Sequence, residues 1–77
     1  MWIRTQNKQR IINTDQIASI YITSSGKNIR ADMVDEGVFE LGEYKDRDTC
    51  LKVLSEIEDC LRNMWSIYQM PLGGEVK

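Results

Sequence analysis

The chain has 77 residues, 42% of them hydrophobic and 29% charged, with ten Lys plus Arg against twelve Asp plus Glu for a net charge of -2. That is one domain with an ordinary folded balance, and an acidic chain without a Lys/Arg cluster is a poor candidate for wrapping duplex nucleic acid. The absence of His excludes His-based zinc sites and Ser-His or Cys-His catalysis, and no apolar run approaches the roughly 18 residues needed to span a bilayer.

Trp2 to Thr5 and Arg10 to Ile12 are short β-rich runs around the polar Gln6-Asn7-Lys8-Gln9, the pattern of a hairpin. The opening residues are too polar for a signal peptide, so a cytoplasmic location is expected. Asn13-Thr14-Asp15 reads as a turn, because Asn and Asp side chains bond their own backbone two residues on. Ile17 to Thr23 is the clearest strand. Ser24 to Asn28 turns the chain into Ile29 to Val34, and Asp35-Glu36-Gly37 turns it again into Val38 to Tyr44.

The register of these three strands follows from requiring the apolar residues to share a face. A bulged turn with Gly37 left-handed sets Met33 opposite Phe39 and Ala31 opposite Leu41. A loop from Ser24 to Lys27 sets Ile22 opposite Ile29, Ile20 opposite Ala31 and Ala18 opposite Met33. Both loops then give one apolar face. The other face carries Ile17, Ser19, Tyr21, Thr23, Arg30, Asp32, Val34, Val38 and Glu40, with Asp32 opposite Glu40.

From Asp46 the period changes. Asp46 or Asp48 suits a helix N-cap, and Cys50, Leu54, Ile57, Leu61, Met64 and Tyr68 follow at spacings of 4, 3, 4, 3 and 4. These predict a helix over about residues 47–69, on the order of 34 Å long, whereas the strands span only about 20–23 Å. Pro71 stops the helix, giving a single domain over 1–70 and a mobile tail over 71–77. The expected fold is α+β: a four- to five-stranded antiparallel β-meander with one long C-terminal α-helix packed on its apolar face. The sheet is too short to cover such a helix, so Leu61, Met64, Trp65, Ile67 and Tyr68 are the expected surface for a second copy, a dimer above all. The alternative is a helix that ends near Asn63, with residues 64–70 folding back over the sheet.

Cys50 and Cys60 lie ten residues apart on that helix, roughly 15 Å, beyond disulfide reach. They read as reduced, half-buried thiols with no cation to activate them. Asp32 and Glu40 alone are too few ligands for a metal, with Arg30 close enough to neutralise them. Tyr21 beside Arg30, together with Arg4, forms a candidate patch for an anionic nucleotide. Trp2 alternates with Arg4 on one face of the first strand and belongs to the core or to an interface. No phosphate loop is present, and a domain this small has little room for a catalytic cleft, so neither an enzyme, a cofactor nor a metal is expected.

The opening Met-Trp-Ile-Arg-Thr-Gln-Asn-Lys, with Leu41-Gly42-Glu43-Tyr44-Lys45 and Val53-Leu54-Ser55-Glu56-Ile57 later on, resembles a group of short proteins of Gram-positive bacteria, their prophages and mobile elements. The group has no settled activity, so no residue role follows from it. The resemblance implies an intracellular, phage- or element-encoded protein that acts by occupying a partner such as a host defence protein. A non-catalytic, homo-oligomeric binding module is the leading expectation, and a sponge for an anionic nucleotide signal at a symmetric dimer is the alternative. A nucleic-acid mimic would need a longer acidic face than a net charge of -2 supplies.

Overall fold

A computed structural model describes residues 1–76 and shows an α+β chain of six strands in two three-stranded sheets, with one helix between the fifth and sixth strands. The first sheet joins β1 (Trp2–Arg4), β2 (Ile11–Asn13) and β6 (Ile67–Gln69) in the order β2-β1-β6. The second joins β3 (Ile17–Ile22), β4 (Asn28–Met33) and β5 (Gly37–Glu43) in sequence order. The expected antiparallel meander is therefore the second sheet alone. The first adds a parallel pair, β1 with β6, which local sequence pattern did not suggest.

The turn between β1 and β2 forms because Asn7 Oδ1 accepts from the Thr5 hydroxyl at 2.7 Å and from the Gln9 amide at 3.0 Å. Lys8 sits in the left-handed region at φ 66°. Asn13 Oδ1 accepts from the Asp15 amide at 3.0 Å and starts the 3-10 turn Thr14–Gln16, as expected of that Asn-Thr-Asp run. In the second sheet the pairs Ile22 with Ile29 and Ile20 with Ala31 stand as the apolar-face rule sets them. Elsewhere the register departs from the expected one. Gly37, at φ 86°, pairs with Met33, so the turn is Val34-Asp35-Glu36 and Phe39 lies opposite Ala31. This slip of two residues keeps Phe39 and Leu41 on the apolar face, which is why that face was legible although the register was not, and a bulge at Leu41 then sets Gly42 opposite Ile29. A bulge at Ala18 places Ile17, not Ala18, opposite Met33, so Ile17 packs against the core and Ala18 is exposed, the reverse of the expected faces.

The helix α1 (Arg47–Arg62) begins where Asp46 accepts from the Thr49 amide at 2.9 Å and its hydroxyl at 2.7 Å. It ends at Arg62, not near residue 69. The Met64 amide donates to the Leu61 carbonyl at 3.2 Å and the Trp65 amide to the Cys60 carbonyl at 3.0 Å, with Met64 left-handed at φ 59°. This is a Schellman closure with methionine at the position that glycine usually fills. The sixteen-residue helix is about 24 Å long, close to the strand length. The length mismatch that called for a second copy on a distal helix is thereby removed. Residues after Asn63 do turn back, as the alternative had it, but they pair edge-on with β1 instead of lying over a sheet.

One core is shared by both sheets and the helix. Ile3, Ile12 and Tyr68 enter from the first sheet, Ile29, Ala31 and Leu41 from the second, and Cys50, Val53 and Ile57 from the helix. Gln6 stitches the sheets together: its amide donates to the Leu41 carbonyl at 2.8 Å, and its side chain accepts from the Glu43 amide at 2.9 Å and donates to the Glu43 carbonyl at 3.0 Å. Tyr44 Oη and Gln6 Nε2 both donate to the Pro71 carbonyl, at 2.8 and 3.1 Å, and Val76 packs against the core. Within the expected tail over 71–77 these contacts involve Pro71 and Val76, and its last residue, Lys77, lies outside the described residues.

Candidate interaction face

Each short strand of the first sheet buries its middle residue, and the pairing of the strands sets what the other face carries. Ile3 pairs with Ile12 and Tyr68, all three inward. Trp2 pairs with Asn13 on one side and Ile67 on the other, and Arg4 with Ile11 and Gln69. Trp2, Ile11 and Ile67 thus share the outer face, and each is about half exposed, Trp2 at 47% and Ile67 at 48%. The turn that feeds β6 adds Trp65 and Met64, the latter 89% exposed. The Trp2 amide donates to the Ser66 carbonyl at 2.9 Å, which ties this turn to the strand bearing Trp2. Both tryptophans of the chain therefore lie on or beside one face.

Large apolar side chains left in water on one contiguous face mark an interaction surface more often than singly scattered ones do. Trp and Met are enriched at interface centres. The backbone of β1 crosses this face without charge except at Arg4, whose guanidinium is already bound by the Lys8 carbonyl through Nε at 3.2 Å and Nη2 at 3.1 Å. A partner here meets an apolar strip beside a cation that is held in place.

Of the five expected interface residues, Met64, Trp65 and Ile67 come together on this side. Tyr68 does not: it is 7% exposed, faces the core and donates to Glu56 Oε2 at 3.2 Å. Helical spacing carried through to Tyr68 assigns it to the outer seam, but the segment Ile67–Gln69 is a strand, whose alternation turns Tyr68 inward. Leu61 is half exposed on the helix, toward β3. Trp2 and Ile11 complete the face, and the sequence signal for them was the alternation of Trp2 and Arg4 around the inward Ile3.

The expected ligand residues are only partly assembled. Tyr21 and Arg30 are direct cross-strand partners. Arg30 also pairs with Glu40, Nε to Oε1 at 3.3 Å, and Asn28 Nδ2 donates to the same oxygen at 3.0 Å. Asp32 stands opposite Val38, not Glu40, so the expected like-charge pair does not form. Arg4 lies on the other sheet. Arg10, by contrast, stacks over the Phe39 ring at 4.1 Å, a pairing that sequence spacing did not reveal.

Cys50 and Cys60 are free and buried, more deeply than expected, and burial pushes both thiols up, away from the reactive thiolate. Burial likewise drives the phenols of Tyr44 and Tyr68 well above the usual tyrosine range. Among the described residues no group of three or more His, Cys, Asp or Glu side chains stands together as a metal site, and no helix is long and apolar enough to cross a membrane. Comparison with protein-family models, curated proteins and solved structures finds no match to this chain.

Proposed function

We propose that this chain is a non-catalytic interaction module that works as a homo-oligomer and occupies a partner protein through the outer face of its first sheet. The observation that carries this reading is the row formed by Trp2 and Ile67 on neighbouring strands, flanked by Ile11 and Trp65. Nothing in the core requires these residues outside, because Ile3, Ile12 and Tyr68 already fill the inward face. The resemblance of the opening residues to short phage- and element-borne proteins suggests a host protein as the partner. The anion-sponge alternative has less geometry behind it, since Arg30 is neutralised by Glu40 and Arg4 is bound to its own turn.

The test is affinity capture from host cells with the native chain and with Trp65→Arg plus Ile67→Arg, each first shown to fold by circular dichroism. The reading expects a discrete protein retained by the native chain and lost by the variant, with tryptophan emission shifted to shorter wavelength in the captured complex. Equal retention by both chains, or unshifted emission, contradicts it.

A further inference from the structure

The open edge of β3 has no charge anywhere from Ile17 to Thr23, no proline, and a groove of about 450 Å³ beside it, lined by Ile17, Ile20, Leu54 and Leu61 together with the charged Asp15 and Glu58. Exposed edges are normally blunted by charge, proline or cover, because a row of free N–H and C=O groups invites another strand. Here only the Ala18 bulge interrupts the edge, and Ser19 to Thr23 beyond it is regular. We infer that two copies of this chain join by antiparallel pairing of β3 with β3 about a two-fold axis, making a continuous six-stranded sheet with both helices on the same face. This rests on the homo-oligomeric part of the function proposed above and leaves the Trp2 and Ile67 face free for the partner.

The register follows from which amides face outward. The Thr23 amide donates to the Asn28 carbonyl at 2.9 Å, so it points into the sheet. Antiparallel alternation then points the Tyr21 and Ser19 amides inward too and leaves those of Ile20 and Ile22 on the open edge. A two-fold axis through Tyr21 sets Ile20 opposite Ile22 of the other copy, where the two residues exchange both backbone hydrogen bonds. The same register sets Tyr21 against its own copy, an aromatic cross-strand pair, and Ser19 against Thr23. Inward-facing Ile20 and Ile22 of each copy then lie at the mouth of the other's groove.

Sedimentation of the native chain and of one edge variant, together with amide hydrogen exchange, tests this. The pairing predicts a two-copy mass, slow exchange at Ile20 and Ile22, and a single-copy mass for Tyr21→Lys with unchanged circular dichroism. A two-copy mass with Ile20 and Ile22 amides exchanging at solvent rates overturns β3 pairing and leaves the oligomeric reading standing. A single-copy mass at every concentration overturns both.

Discussion

Trp2 and Ile67 stand side by side in the parallel pairing of β1 with β6, both half exposed, while their neighbours Ile3 and Tyr68 make the matching pair inside the core. Two segments more than sixty residues apart in the chain thus build one face, and the alternation of a strand decides which side chain of each is offered to a partner.

That alternation separates Ile67 from Tyr68. Tyr68→Ala should cost about 3–5 kcal/mol, as large aromatic truncations in a core do, whereas Ile67→Ala should change stability by no more than about 0.5 kcal/mol. Urea unfolding of the two variants checks this, and similar losses at both positions contradict a strand here.

Met64 carries left-handed backbone that costs a non-glycine residue about 1–2 kcal/mol. Asparagine adopts that conformation more readily, so Met64→Asn should raise the melting temperature by a few degrees while removing an exposed apolar side chain from the interaction side. A lower melting temperature would show that the Met64 side chain contributes more to the fold than its exposure suggests.

Gly42 has no room for a side chain: a Cβ there would meet Tyr44 Oη at 2.9 Å and the ring at 3.0 Å. Gly42→Ala should therefore displace the Tyr44 ring from its bond to Pro71 and cost about 1–3 kcal/mol. Adding Tyr44→Phe should cost less in the Gly42→Ala background than in the native one, because the same hydrogen bond is already lost; a double-mutant cycle measures the difference.

The acid limb of stability depends in part on Asp46. Its bonds to the Thr49 hydroxyl and amide hold its carboxyl below the usual value of 3.8. A lowered folded-state value means the contribution is present above the unfolded value and is lost as pH falls through the folded one. Asp46→Asn keeps a capping oxygen but removes the charge, so it should flatten the stability profile below about pH 4, while Asp46→Ala should lower stability at neutral pH as well. Melting temperatures across an acid series decide this.

The alkaline limb has the opposite sign. Folded-state values raised above 10 for Tyr44 and Tyr68 give stability that is present below pH 10 and lost as pH rises through the folded values. Ultraviolet titration should find two of the three tyrosines un-ionised well past pH 10, ionising together with unfolding.

Much of the fold could be read from local pattern. Asn13 and Asp46 begin their turn and helix as their side-chain chemistry dictates, and Ile20, Ile22 and Ile29 fall on one face as period-two alternation requires. Of the charged residues four apart on the helix, Glu58 and Arg62 pair at 2.6 Å, whereas Lys52 pairs with neither Asp48 nor Glu56. What could not be read depended on partners distant in sequence. Met64 gives no warning of a helix end, because methionine is a good helix former and the apolar spacing continues through it to Tyr68. The strand at Ile67–Gln69 exists only because β1 offers it an edge, and the burial of Tyr68 satisfies a helical seam and a strand alternation equally well. The interaction face was half visible, in Trp65 and Ile67; its other half, Trp2 and Ile11, needed the parallel pairing to bring it alongside.

The central claim is that the outer face of the first sheet is covered by a partner in cells. Site-specific photocrosslinking from position 67, with position 34 as a control, tests it most directly, since Ile67 and Val34 are both exposed apolar residues, one on the first sheet and the other in the turn between β4 and β5. The account predicts one discrete covalent adduct from position 67 and none from position 34. No adduct from position 67, or the same ladder of adducts from both positions, would contradict it.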